Sequence, residues 1–273
     1  MAFRQIRFSS NNEELLALLS LFPFEAFQEE DSELIGYIEE ELCDRAFYAD
    51  IDTLCKSKGV TFTDHDVDDV NWNLEWESSF KPVVVDDFCA IKASFHTEVF
   101  DTEYTITIDP KMAFGTGHHE TTFMMIDMMK GVDLIGKTIL DHGCGTGILA
   151  ILAEMCGASH IDAIDIEADS YQNTIENAQL NNCNRINSFQ GEIIDLNNNQ
   201  YDVILANINR KVLLNTASLQ YNLLKPGGSL LLSGILKEDE SIIRRAYESC
   251  GFIFSEIKSR GNWLCIKCIR PVT

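Results

Sequence analysis

Apolar and polar positions divide the chain into two regimes. Phe3 to Phe8 reads as a strand, and Asn11 to Phe22 as a helix whose Leu15, Leu16, Leu18, Leu19 and Phe22 recur at helical spacing behind an Asn cap. Phe24 to Glu29 and Leu34 to Glu39 can pair across the polar Glu30-Asp31-Ser32 turn. A helix over about Leu42 to Ser57 and a strand at Val60 to Thr63 follow. This βαββαβ order predicts a small α+β unit of ferredoxin-like type. Asp64 to Asp69 is a short acidic stretch with the character of a linker. Trp72, Trp76 and Phe80 then stand at four-residue spacing on one side of a helix, an arrangement suited to packing between domains.

Past Pro82 the pattern changes. Apolar runs at Val83 to Val85 and Tyr104 to Ile108 lead into a strict alternation of strand-like and helix-like segments. Strands are predicted at Thr138 to Asp141, His160 to Ile166, Ile186 to Gln190, Tyr201 to Ala206, Ser229 to Ser233, Phe252 to Lys258 and Trp263 to Ile269. Helices fill the intervals, including Ile148 to Cys156, Ala168 to Asn181, Lys211 to Leu224 and Glu238 to Ser249. Such alternation predicts an α/β fold, a doubly wound, mostly parallel, seven-stranded Rossmann-like sheet. The reading therefore has three parts: a small N-terminal domain over 1–70, a linker and inter-domain packing segment over 71–100, and the large domain over 101–273.

Composition adds little to this picture, and charge adds more. The 273 residues are 45% hydrophobic and 23% charged, enough apolar material for a sizeable core. With 21 Lys and Arg against 43 Asp and Glu, the net charge is −22, a field that repels a phosphate backbone. Nucleic acid is not expected as the primary ligand, and a basic partner fits. The first 70 residues hold 5 basic and 17 acidic side chains, which makes the small domain either a solvated face or a docking surface for a cationic protein. No stretch approaches the roughly 20 apolar residues of a membrane span, and no apolar run follows Arg4 and Arg7. The expectation is a cytoplasmic protein without membrane attachment. The nine cysteines fit reduced thiols. Cys265 and Cys268 form a C-x-x-C pair inside the strand-like run Trp263 to Ile269, where three-residue spacing sends the thiols to opposite faces, so no metal site is expected there.

The chemistry concentrates in Asp141-His142-Gly143-Cys144-Gly145-Thr146-Gly147, directly after an apolar strand and before an apolar helix. Alternate glycines let the backbone turn tightly against a ligand, and the helix start offers free N–H groups. A dinucleotide loop would read G-x-G-x-x-G, but here the third glycine comes one residue early and Ile148 takes its slot. An acidic residue two positions before G-x-G-x-G resembles instead the way class I methyltransferases hold S-adenosylmethionine. Asp165 ends the next strand, where a carboxylate can accept from both ribose hydroxyls. Gly191-Glu192 follows the third strand, where such enzymes contact adenine, although Glu192 equally suits a surface carboxylate. Ala206-Asn207-Ile208-Asn209 ends the fourth. An Asn there can accept N–H bonds from an amine and aim its lone pair, or simply cap the next helix. Base-directed enzymes follow such an Asn with Pro-Pro and an aromatic platform. Here Ile208, Asn209 and Arg210 stand in those places.

Two other matches weigh less. Gly131 to Thr138 fits G-x-x-x-x-G-K-[ST] but follows a helix and opens a strand, so its amides cannot cradle phosphate. His118, His119 and Glu120 lack the H-E-x-x-H spacing of a metal site.

The run Asp109 to Thr122, then Asp141 to Gly147, Asp165 and Ala206 to Ile208, resembles the ribosomal protein L-eleven methyltransferases (PrmA family) in residues, order and spacing. Trp72, Trp76 and Phe80, and Ser233-Gly234-Ile235-Leu236-Lys237, are also similar to that family, while His142 stands where an apolar residue is commoner. The resemblance implies a cofactor, S-adenosyl-L-methionine, and a protein N-methyltransferase acting on lysine side chains and the N-terminal amine of the ribosomal protein. It also implies that residues 1–70 recognise the substrate. It places Thr122, Gly143, Asp165 and Asn207 at the cofactor, with Asn207 also at the amine; Asp141, Gly145, Gly147 and Glu192 join the cofactor set through the motif. Phe114 is expected to desolvate the amine and His119 to accept its proton. The competing readings are a methyltransferase for another amine or a nucleobase, a nicotinamide oxidoreductase, and an assembly module with a relic cofactor pocket.

Overall fold

The computed structural model describes residues 3–11, 13–19, 22–24, 26–30, 33–66, 81–109, 115, 117–196 and 199–272. They fall in two compact units, Met1–Ser79 and Phe80–Thr273. Trp72, Trp76 and Phe80 lie outside the described residues.

In the first unit, β1 (Phe3–Phe8), α1 (Glu13–Leu19), β2 (Ala26–Glu30), β3 (Glu33–Glu39), α2 (Arg45–Lys58) and β4 (Phe62–Asp66) build an antiparallel sheet in the order β2-β3-β1-β4. This is the ferredoxin-like topology. Ile6, Phe8, Leu15, Leu19, Ile38 and Ile51 are fully enclosed between sheet and helices. The second helix starts at Arg45, not Leu42, because Asp44 caps it by accepting from Phe47 N at 2.8 Å. The acidic stretch from Asp64 also departs from the linker reading. Asp64 belongs to β4, where its carboxylate takes Arg4 Nε at 2.8 Å and the Tyr48 hydroxyl at 2.5 Å.

The second unit begins with β5 (Val83–Val85), β6 (Cys89–Lys92) and β7 (Tyr104–Thr107), a three-stranded sheet in that order. The sequence reading makes 71–100 a linker and inter-domain packing segment. From residue 81 on it instead supplies β5 and β6, because Val85, Cys89 and Ile91 are apolar enough to join the main core.

The large sheet follows from α3 (Glu120–Met129), β8 (Thr138–His142), α4 (Ile148–Met155), β9 (His160–Asp165), α5 (Ala168–Leu180), β10 (Ile186–Gln190), β11 (Tyr201–Asn207), α6 (Arg210–Leu223), β12 (Leu224–Leu236), α7 (Glu240–Cys250), β13 (Ile253–Arg260) and β14 (Trp263–Ile269). Its order is β10-β9-β8-β11-β12-β14-β13, with β14 antiparallel to both neighbours and the rest parallel. Strand order therefore reverses between β8 and β11, and a crevice opens at their carboxyl ends. Side chains alternate across the sheet. Ile139, Leu205, Leu231 and Cys265 pack on one face with Met125 and Met128 of α3, and Leu140, Ile204, Leu232 and Cys268 pack on the other with Leu213 and Tyr247 of α6 and α7. The two thiols of the C-x-x-C pair thus face opposite layers. Gly131 to Thr138 joins α3 to β8, as its order in the sequence predicts. Among the described residues no helix is long and apolar enough to cross a membrane.

Candidate active site at the carboxyl ends of the parallel strands

Strand β8 delivers Asp141 and His142 to opposite sides of the sheet, and the chain then turns through Gly143, Gly145 and Gly147 at φ +77°, +54° and +79°. That left-handed backbone favours glycine. The turn is pinned from three directions. Gly143 N and Cys144 N donate to Ile164 O at 2.8 and 3.1 Å, Gly145 N donates to Asp165 Oδ2 at 3.0 Å, and Thr174 of α5 donates to Gly145 O at 3.0 Å. Asp165 also accepts from Glu167 N at 3.0 Å, which leaves lone pairs on both carboxylate oxygens.

Asp141 is enclosed. Ala150 N donates to its Oδ2 at 3.1 Å, and Oδ1 has no partner. Desolvation pushes its carboxyl up to about 7, against the Ala150 bond and with the charge of Asp165 adding to the rise. His142 moves the other way. Burial lowers it to about 4, so the ring is neutral.

Asn207 ends β11 with its two side-chain atoms in unequal positions. Nδ2 donates to Thr122 Oγ1 at 3.2 Å, while Oδ1 is buried without a partner. The helix-capping alternative belongs to a different residue: Asn209 Oδ1 accepts from Val212 N at 3.1 Å and caps α6. Between the two asparagines, Ile208 is wedged. A Cβ on Gly143 would stand 2.2 Å from Ile208 Cγ2, and one on Gly234 would stand 2.1 Å from Ile208 O. Gly234, at φ +85°, lies where the register of β12 against β14 shifts. The sequence reading passes over Gly234 as a site residue. Its signal was a lone glycine inside an apolar strand, the mark of a bulge or a close backbone approach.

His119 is the N-cap of α3; its Nδ1 accepts from Thr121 N at 3.3 Å and pairs with Thr121 Oγ1 at 2.7 Å, and its ring packs edge-on against Trp263. An acceptor role for Nδ1 puts the hydrogen of the neutral ring on Nε2. The ring can then take up a proton only by releasing its cap.

These features surround one cavity of about 660 Å³, a volume suited to a small ligand. Of the residues singled out in the sequence, Gly143, Gly145, Asp165, Glu192, Asn207 and His119 line it. Thr122, Asp141 and Gly147 stand outside its wall: Thr122 beneath Asn207, Asp141 inside the sheet–helix layer, and Gly147 at the start of α4 with Thr174 against it. Phe114 lies outside the described residues. Ile166, Ile193 and Val212 give the cavity apolar walls, and Thr121, Asn215 and Thr216 add polar atoms.

A seven-stranded sheet of this order, with a glycine turn after β8, a carboxylate ending β9 and a cavity across both, defines a Rossmann-like S-adenosylmethionine-dependent methyltransferase. The residues fit that cofactor, since Asp165 retains acceptor capacity and the enclosed Oδ1 of Asn207 lacks a donor at the cavity. The model of the ribosomal protein L11 methyltransferase (PrmA) family matches residues 10–271, and the chain belongs to this family. A ribosomal protein L11 methyltransferase from Bacteroides thetaiotaomicron is 40% identical over 260 residues, 94% of this chain and 93% of the relative. One from Porphyromonas gingivalis is 45% identical over 201 residues, 73% of this chain and 69% of the relative. The crystal structure of a ribosomal protein L11 methylase from Lactobacillus delbrueckii subsp. bulgaricus superposes with a TM-score of 0.65 at 28% identity, covering 70% of this chain and 98% of that one.

Proposed function

We propose that the protein transfers methyl groups to amine nitrogens of ribosomal protein L11, at lysine side chains and at the N-terminal amine. The observation that carries this reading is the buried, unpartnered Oδ1 of Asn207 on the cavity wall. An acceptor fixed in that way can take an N–H from an incoming amine and turn the nitrogen lone pair toward the reacting centre. Thr122 holds Asn207 in this orientation from below through Nδ2. When bound, the cofactor supplies an electrophilic methyl group on a sulfonium. Asp165 would accept from the ribose hydroxyls, Glu192 and Ile193 would hold the adenine, and the Gly143 to Gly147 turn would let the backbone approach the ligand.

A lysine with pKa about 10.4 is neutral in only roughly one molecule in 2,500 at pH 7, so the site must favour loss of the ammonium proton. Apolar walls do this by desolvation. Phe114 is assigned to the same task. His119 is assigned as proton acceptor only with surrender of its cap on α3. The acidic first unit is read as the docking surface for the basic protein substrate, in the cytoplasm, without direct contact to nucleic acid or membrane. Incubation with purified ribosomal protein L11 and labelled S-adenosylmethionine, read by intact mass and peptide mapping, tests the reading. Mass increments on lysine and N-terminal nitrogens are expected. Label on a different amine or on a nucleobase, with none on the ribosomal protein, would replace it.

A further inference from the structure

One buried imidazole beside the cavity has no part in the reading so far. His142 is 7% exposed, and its Nδ1 lies 3.1 Å from Gln220 Nε2. The Tyr247 hydroxyl lies 2.8 Å from Gln220 Oε1 and 3.1 Å from Leu213 O, its single hydrogen favouring the nearer acceptor, and Gln220 and Tyr247 are fully buried. An amide nitrogen only donates, so Nδ1 is the acceptor and the ring hydrogen sits on Nε2. Nε2 of His142 has no hydrogen-bond partner among the described residues, and His142 lines the cavity.

The neighbours define what this N–H can meet. His142 pairs with Ile164, the residue before Asp165, and Gln220 stands one turn beyond Thr216 on α6. Ile166, Ile193 and Val212 line the same cavity with apolar side chains. A neutral donor beside apolar side chains suits the edge of a heteroaromatic ring, whose nitrogens accept hydrogen bonds and whose faces need no polar partner. Burial also keeps the donor uncharged, and an uncharged donor adds no repulsion to a ligand that carries a sulfonium.

We propose that His142 contacts the ligand, donating Nε2–H to an acceptor on the purine nucleoside part of the cofactor. Gln220 and Tyr247 are then positioning residues that fix which ring nitrogen carries the hydrogen. The proposal rests on the cofactor assignment above, and two calorimetric probes on the full chain separate the two. S-adenosylhomocysteine carries the whole product skeleton, and methylthioadenosine keeps the nucleoside without the amino-acid end. His142→Leu is expected to weaken both by the same factor, about 5- to 10-fold, the worth of one neutral hydrogen bond. Loss confined to S-adenosylhomocysteine, or loss with neither probe, overturns the proposal. Failure of the unsubstituted protein to bind either probe removes the cofactor assignment itself, and the proposal with it.

Because Leu at 142 leaves a buried Gln220 amide hydrogen unpaired, NMR of the histidine side-chain nitrogens in the unsubstituted protein gives an independent decision. A single Nε2–H tautomer is expected for His142, with slowed hydrogen exchange and a shifted resonance on saturation with methylthioadenosine. An unmoved resonance overturns the proposal. Gln220→Leu is expected to mix the two tautomers and weaken both probes about 2- to 3-fold. One retained tautomer with unchanged affinity would remove the positioning roles.

Discussion

Asn207 and Asp141 stand within the same cluster of strand ends and invite opposite tests. Asn207→Ala removes the acceptor assigned to the amine and the hydrogen bond to Thr122. Single-turnover methyl transfer is expected to fall about 100- to 1,000-fold, as for loss of one positioned transition-state partner, with cofactor affinity changing far less. Equal losses in both measurements would make Asn207 a cofactor ligand alone. At Asp141 the folded carboxyl titrates at about 7 against an ordinary 3.8. A raised acid binds its proton more tightly in the folded state, so its stabilising effect is complete below about pH 4 and is lost as pH rises through 7. The loss is on the order of 4 kcal/mol. Denaturant unfolding of the cofactor-free protein between pH 4 and 8 should therefore show a decline that Asp141→Asn flattens, and parallel curves would refute the shift. The candidate residues on the glycine turn and at the ends of β9 and β11 were legible because backbone freedom and acceptor chemistry are written into short runs. The bond from Asn207 to Thr122 was not, because it joins residues 85 positions apart and depends on how α3 packs.

At the scale of elements, most strands and helices follow directly from apolar periodicity, and several departures trace to polar side chains. Where a polar side chain finds a buried partner, its pattern looks solvated in the sequence. Helix α5 carries Asn173, Asn177 and Asn181 at four-residue spacing, on one side of the helix. Asn173 and Asn177 are buried, and all three clasp backbone. Asn181 accepts from Thr107 N at 2.8 Å and donates to Thr107 O at 2.6 Å, and Asn173 donates to Asp109 O at 3.2 Å. Asn177 accepts from Asp109 N at 3.0 Å and donates to Thr146 O at 2.9 Å, joining the end of the β7 segment to the glycine turn. Asn177→Ala leaves two backbone groups without partners, and the expected cost is on the order of 3 kcal/mol. Thermal and denaturant unfolding would reveal it, and an unchanged midpoint would show that water replaces the amide. The β12 extension to Leu224–Leu236, well beyond the apolar Ser229 to Ser233, comes from backbone pairing at its two ends, Leu224 with Tyr201, and Ile235 and Leu236 with Leu264 and Trp263.

For the whole molecule, charge and division into units set the expectations. The first 70 residues hold 17 acidic side chains against 5 basic ones, so attraction to a cationic protein should weaken with salt. Removal of Met1 to about Val70 is expected to spare cofactor binding in calorimetry and to suppress methylation of intact ribosomal protein L11. Full activity of the shortened protein at moderate salt would reduce that domain to a solubilising role. The sequence pattern changes near Pro82, and β5 and β6 are too short to declare from sequence which core they join. Within the second unit, Cys265 and Cys268 sit three residues apart on one strand yet belong to different apolar layers, Cys265 beside Met125 and Met128 and Cys268 with the layer of α6 and α7. Both thiols are fully buried, and burial pushes Cys268 up to about 12 and Cys265 higher still, so a thiol reagent reaches them only as the layers part. A timed pulse of alkylating reagent during unfolding, followed by peptide mass analysis, thus turns a single strand into a two-channel clock. Simultaneous labelling means that both helical layers leave the sheet together, and Cys268 ahead of Cys265 means that the α6–α7 layer leaves first.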